Sequence, residues 1–345
     1  MENQVRYSRQ IKLPEIGQIG QSKLGKASIL IVGMGGLGCP AALYLVAAGV
    51  GNLGLLDHDL VDESNLNRQI LYRESDIGSH KVLAAKRFLL HQNSGINIFC
   101  HKERLTETNA VTIFRDYDLI IDGTDNFPTK YLINDACILL NKPWIYASIY
   151  KFQGQISVFN FESGPTYRCL FPKPPKQQLN CEDAGVIGAL AGNLGVLQAM
   201  EALKIILEKG MVLSGTLKIV DMLSMQDQLV NFSKKEETIR SIKEQGIKPV
   251  NLTCEVKDLD KIYLDVRGEH EMPQLSGETI LQIPLGHIQD RIEEIPSDVP
   301  VYVVCQSGTR SQKAINLLEK NYGYENLINV PGGISSLVEQ QEVIY

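Results

Sequence analysis

Ala27-Ser-Ile-Leu-Ile-Val-Gly33-Met-Gly35-Gly36-Leu-Gly38-Cys-Pro-Ala-Ala is the stretch on which the fold turns. Its first six residues are almost wholly aliphatic, so they read as a strand buried on both faces. The glycines that follow have the G-x-G-x-x-G spacing, and a helix is predicted over roughly 36–48. Such glycines permit a tight turn and let a phosphate approach backbone N–H groups at a helix start. Asn52-Leu-Gly-Leu-Leu-Asp57 reads as the next strand, and its terminal Asp57 is suited to a ribose hydroxyl.

Working outward, Asp118-Leu-Ile-Ile-Asp122 reads as a later strand, with helices predicted at 81–92 and 194–209. This alternation over the first 230 residues or so predicts an α/β domain with a doubly wound parallel sheet, residues 1–232. The charged stretch 233–251 reads as a linker. Residues 252–345 form a second, smaller α/β pattern, with strands at 262–266 and 301–304, a helix at 311–320 and a Pro-Gly-Gly turn at 331–333. A length of 345 residues agrees with two domains.

The charge balance is −6, with Lys and Arg scattered, which argues against nucleic acid as a partner. The N-terminus lacks the look of a secretory signal, and apolar runs such as 41–50 are too short to span a bilayer. Seven widely spaced cysteines fit cytoplasmic thiols rather than a disulfide framework.

The glycine motif alone would suit a dinucleotide dehydrogenase, or a binding module without catalysis. Asp57-His-Asp59, Asn65-Leu-Asn-Arg68-Gln69 and Lys81 shift the balance. Attack on an α-phosphate builds negative charge on its oxygens and on departing pyrophosphate, so fixed cations such as Arg68 and Lys81 lower that barrier. Asp125 in Gly123-Thr-Asp-Asn126 follows a strand end. It suits either a Mg²⁺ bound to phosphates or the N-cap of a helix.

A second chemistry is written at Cys305-Gln306-Ser307-Gly308-Thr309-Arg310, between a strand and a helix expected to start at Ser311. Backbone N–H groups, the helix dipole and Arg310 would all favour a thiolate or persulfide there. A cysteine phosphatase loop carries one residue more between Cys and Arg. Cys39, Cys100, Cys137 and Cys254 read as small buried hydrophobes.

Arg6-Tyr-Ser-Arg9-Gln10, Gly33 to Gly38, Asn65 to Gln69, and Gly123 to Asn126 together resemble the MoeB/ThiF/HesA family, bacterial relatives of ubiquitin-activating enzymes. Gly154-Gln-Ile-Ser, Tyr167-Arg-Cys-Leu170 and Asn180-Cys-Glu-Asp-Ala-Gly185 extend the likeness over roughly 3–230. It implies a Rossmann-like ATP-binding adenylyltransferase that adenylylates the C-terminal glycine of a small ubiquitin-like sulfur carrier, MoaD-like or ThiS-like. Gly36 and Asp57 would hold the adenosine end, Arg68 and Lys81 the phosphates, and Asp125 the Mg²⁺. Arg9 would reach the ATP of a partner subunit in a homodimer. Cys181 matches a cysteine that forms a covalent intermediate in some members. Leu264-Asp-Val-Arg267, Gly286-His-Ile288, the Cys305 loop and Pro331-Gly-Gly333 resemble rhodanese-type sulfurtransferases. A cysteine desulfurase or thiosulfate would then be the sulfur donor. Gln306 departs from the arginine that many such loops carry after the cysteine.

The resemblance also implies a structural zinc held by two C-x-x-C pairs. Here Thr166-Tyr-Arg-Cys169 keeps one cysteine, and 225–245 has none. Zinc is not expected, and packing alone is expected to hold the region.

Overall fold

The computed structural model describes residues 3–174, 185–248, 250, 253–255, 261–269, 271, 274–277 and 279–334. They divide into two compact units, one ending at Val250 and one after it.

The first unit is built on an eight-stranded sheet in the order β3-β2-β1-β4-β5-β6-β7-β8. Strands β1 (Ser28–Val32), β2 (Asn52–Leu56), β3 (Asn97–His101), β4 (Leu119–Asp122) and β5 (Trp144–Tyr150) run parallel, as the alternating pattern predicts. Strands β6 (Gln153–Phe159), β7 (Thr216–Asp221) and β8 (Gln226–Asn231) are antiparallel, so the sheet is mixed. The cause is local. Only Lys151 and Phe152 separate β5 from β6, and so short a link allows a hairpin but no crossover.

Helices α1 (Gly17–Lys26), α2 (Gly38–Ala48), α3 (Lys81–Gln92), α4 (Ala110–Phe114), α5 (Phe127–Leu140), α6 (Gly188–Leu207) and α7 (Glu236–Gln245) complete this unit. The central strand is buried on both sides. Ile29 and Ile31 enter the core shared with α2, α3 and α6, whereas Leu30 and Val32 enter the one shared with α4 and α5. Helix α6 is long and apolar enough to cross a membrane by composition, but here it packs on α2, β5 and β6.

Helix α7 lies inside the stretch read as a linker. It turns Ile239 and Ile242 onto Ile138 of α5. Its polar face carries enough charge to hide that apolar stripe from a composition reading.

The second unit has a parallel sheet ordered β12-β10-β13-β14, with β10 at Ile262–Asp265, β12 at Ile280–Gln282, β13 at Val301–Val304 and β14 at Leu327–Asn329. Strands β9 (Thr253–Glu255) and β11 (Gln274–Ser276) form a separate pair. Helix α8 (Thr309–Tyr322) begins two residues before Ser311 and packs Ile315 and Leu318 on Leu264, Val301 and Val303.

Candidate functional site

The sheet order reverses between β1 and β4, and both strand ends open on the same side. Ligands of open α/β sheets gather at such a switch point. Gly33, at φ +91°, turns the chain out of β1, and a Cβ on Gly38 would lie 2.0 Å from the Gly33 carbonyl oxygen. Only glycine lets α2 begin that close to the strand. A Cβ on Gly33 would meet the Gly123 backbone at 2.9 Å, so the glycine loop and the Gly123–Asn126 loop are in contact.

Four further segments converge on this loop. Asp57, at the end of β2, accepts hydrogen bonds from the backbone N–H of Met34 (2.7 Å) and of Asp59 (2.8 Å). Its burial raises its pKa. Lys81, the first residue of α3, reaches Asp59 at 2.9 Å. Burial pulls the Lys81 ammonium down, but Asp57 and Asp59 outweigh it and the net shift is upward. For Asp59 the opposing effects are burial and Lys81, and Lys81 prevails, lowering its pKa. The site thus keeps a charged ammonium between carboxylates.

Arg68 lies beside the loop, its Cγ 3.6 Å from where a Gly36 Cβ would be. Its guanidinium donates to the Ser64 carbonyl (2.7 Å) and to Asn67 Oδ1 (3.0 Å), which orients the head group. Asn65 supplies the carbonyl that accepts from the N–H groups of Arg68 and Gln69. Gln69 is buried, and among the described residues its Oε1 has no hydrogen-bond partner. Gly35 stands next to it, a Cβ there falling 3.8 Å from Gln69 Nε2.

On the other side of the crevice the cap of α5 is Asn126, whose Oδ1 accepts from the Thr129 N–H. The neighbouring Asp125 is exposed and acts on Lys81 through its charge. The cap and the free carboxylate are therefore two different residues.

Sequence reasoning missed the support beneath this loop. Lys130 donates to Asp122 Oδ2 (2.8 Å) and to the carbonyls of Thr124 and Ala147 (both 2.9 Å). Gln198 of α6 donates to the Asp122 carbonyl at 2.7 Å. Tyr72 donates to the Met34 carbonyl at 2.8 Å, and burial pushes the Cys39 thiol under the loop up to about 12.

Arg9 lies elsewhere. Arg6 donates to Gln92, Gln10 donates to Ala48, and Tyr7 packs on Gly49, all at the C-terminal ends of α2 and α3. An eleven-residue α2 is about 16 Å long, which separates this anchor from the glycine loop. Arg9 itself is exposed. Cys181 lies outside the described residues.

In the second unit, Cys305 follows β13 and is buried. Its Sγ accepts from the Gly308 N–H at 3.1 Å and lies 3.3 Å from Ser311 Oγ. Burial raises the thiol pKa, but hydrogen bonds from Ser311, Ser307 and Gly308 outweigh it and the shift is downward. Arg310, the loop's last residue, is held by a carboxylate. It makes a two-pronged pair with Glu271, at 2.6 and 2.7 Å, while Ser311 is in hydrogen-bond reach of the sulfur. Gln306 is buried, with Arg267 Nη1 3.4 Å from its Oε1, and Arg267 is paired with Asp265. Gly333 closes the loop from behind: a Cβ there would fall 2.2 Å from the Cys305 carbonyl. Cys39 and Cys137 are buried as expected, Cys100 is half-buried, and the Cys254 side chain lies outside the described residues.

Two family models match this chain, that of the ThiF family over residues 7–241 and that of the rhodanese-like domain over 255–340. The adenylyltransferase and sulfurtransferase MOCS3 of Anopheles gambiae is 41% identical, the match covering 93% of this chain and 83% of that protein. The Sus scrofa protein of the same name is 36% identical, with 96% and 84% covered. Escherichia coli MccB, solved with ATP, superimposes with a TM-score of 0.59 at 22% identity, covering 67% of this chain and 72% of that one. That last likeness is one of fold.

Proposed function

The chain belongs to the ThiF family and carries a rhodanese-like unit behind it; from that premise we propose how its residues divide the work of an adenylyltransferase and sulfurtransferase. The acceptor is the C-terminal glycine of a ubiquitin-like sulfur carrier, MoaD-like or ThiS-like, so the product feeds molybdopterin or thiamine synthesis. A carboxylate oxygen attacks the α-phosphorus of ATP, the bond to the β-phosphate oxygen breaks, and pyrophosphate leaves. Arg68 and Lys81 stabilise the charge that gathers on the departing oxygens. Asp57 holds the ribose, and Gly33 to Gly38 leave the backbone open to the phosphates. Asp125 is a hard oxygen donor beside that site, suited to the Mg²⁺ that accompanies a triphosphate.

Arg9 completes the site of a partner subunit in a homodimer. Its anchor at the far end of α2 supports this reading, because its own glycine loop is at the opposite end of that helix. The arrangement is that of an arginine finger supplied in trans.

Cys305 accepts sulfur from a donor such as a cysteine desulfurase or thiosulfate and holds it as a persulfide. The terminal sulfur attacks the carbonyl carbon of the acyl-adenylate, and AMP leaves. An acyl disulfide links carrier and Cys305. A second thiol, Cys181 or a low-molecular-weight thiol, cleaves the S–S bond, releasing the thiocarboxylate and forming a disulfide. A cytoplasmic setting fits this thiol chemistry.

The convergence of Asp57, Arg68, Lys81 and Asp125 on one glycine loop carries the reading. Its test is intact-mass analysis of a Gly-Gly-tailed carrier incubated with ATP, Mg²⁺ and a persulfide donor. The wild type should exchange one carboxylate oxygen for sulfur. Cys305→Ala should abolish that exchange and keep adenylate formation. Undiminished thiocarboxylate formation by Cys305→Ala would overturn the role of the second unit.

A further inference from the structure

Away from the nucleotide crevice, two short turns of identical spacing meet at one sulfur atom. The first is Thr166-Tyr-Arg-Cys169, at the start of a single helical turn. The second is Lys235-Glu-Glu-Thr238, at the start of α7, 66 positions beyond Cys169 and without a cysteine. Cys169 Sγ accepts from the N–H of Thr166 at 3.4 Å and from the N–H of Lys235 at 3.2 Å. It lies 3.3 Å from Thr166 Oγ1 and 3.7 Å from Thr238 Oγ1. Thr238 Oγ1 also donates to the Lys235 carbonyl at 2.8 Å, which closes the second turn. Thr166 and Cys169 are buried.

Two turns of x-x spacing facing one another are what a tetrahedral thiolate site is made of. The residues here do not fit such a metal. One thiol remains, two positions hold threonine, and the Lys235 side chain is exposed. We propose that Thr166, Cys169, Lys235 and Thr238 are a metal-free clasp, in which one sulfur bonded to both turns replaces an ion bonded to four.

The clasp joins parts of the first unit that are distant in sequence. Next to it, Arg168 makes a two-pronged pair with Asp135 of α5, 2.7 Å for each prong, and Asp135 accepts from the Lys248 N–H at 3.1 Å. Helix α7 is thus fastened at its start by the sulfur, in its middle by Ile239 and Ile242, and beyond its end by Asp135. The hydrogen bonds outweigh the effect of burial on Cys169 and lower its pKa, as expected of a sulfur that accepts more than it donates. This inference is independent of the reading of the nucleotide site.

The test is a metal-binding and melting experiment on the full chain. The wild type should purify without stoichiometric zinc, and its thermal midpoint should be unmoved by EDTA or added zinc. The variant T166C/K235C/T238C should bind one Co²⁺ with the absorption bands of tetrahedral thiolate ligation, and gain several degrees in midpoint with zinc. Stoichiometric zinc in the wild type overturns the proposal, as does a folded triple variant without those bands. Should the triple variant not fold, Cys169→Ala decides. The buried Thr166 N–H and the partly buried Lys235 N–H would lose their acceptor, and the midpoint should fall by roughly 5–10 °C. An unchanged midpoint for Cys169→Ala contradicts the clasp.

Discussion

The Lys130 ammonium and the Asp122 carboxylate lie 2.8 Å apart with 2% and 0% of their side chains exposed, directly under the loop that bears Asp125. Removing one partner of such a pair leaves an uncompensated buried charge, which costs about 3–5 kcal/mol. Lys130→Met should therefore lower the thermal midpoint by on the order of 10 °C and loosen the Thr124–Asn126 loop. Calorimetry on the wild type and the variant checks this. An unchanged midpoint would show that the pair is not what fixes the end of β4.

Arg68→Ala removes a cation from beside Gly36 without touching the core. If that guanidinium stabilises charge during attack on the α-phosphate, pyrophosphate exchange should fall by about 10²–10³-fold. The thermal midpoint should stay within a degree or two. Full exchange in the variant would refute the phosphate-clamp role.

Arg9→Ala and Arg68→Ala test the partner-subunit arrangement together. Each homodimer should be inactive. After mixing and subunit exchange, half the dimers pair unlike chains, and in each of those one of the two sites is intact. About a quarter of wild-type activity should return. No recovery despite demonstrated exchange would place Arg9 outside the partner's site.

The sulfur loop predicts a pH profile. Hydrogen bonds lower the Cys305 pKa, so its thiolate persists below the usual thiol range and is lost as pH falls through the depressed value. Ser311→Ala removes the first of those bonds. Its thiolate should be lost at a higher pH than in the wild type. Alkylation rates of Cys305 against pH measure both midpoints, and coincident profiles would contradict the role of Ser311.

The glycine loop is legible because strand, turn and helix are contiguous there, so local spacing fixes its geometry, whereas Asp57 and Asp125 are legible only as residues at strand ends. The three antiparallel strands were not, since a hairpin between Tyr150 and Gln153 leaves little trace in an alternating apolar pattern. Asp122 and Lys130 could have been noticed as a strand-end carboxylate followed by a lysine in an apolar helix, but only the fold brings them together. The charge of α7 disguised it as a linker. Lys235 and Thr238 could not be paired with Thr166 and Cys169 from sequence, because the residue type that marks such turns is absent from one of them. The pairing of Arg310 with Glu271 spans 39 positions and has no local signal in the sequence.

The cations around the glycine turn have one direct readout, the scrambling of labelled pyrophosphate into ATP in the presence of Mg²⁺ and a Gly-Gly-tailed carrier. Exchange that depends on the carrier, persists in Cys305→Ala and collapses in Arg68→Ala is the result expected of an adenylate-forming site. No exchange by the folded wild type, with carrier and ATP both bound, would contradict it.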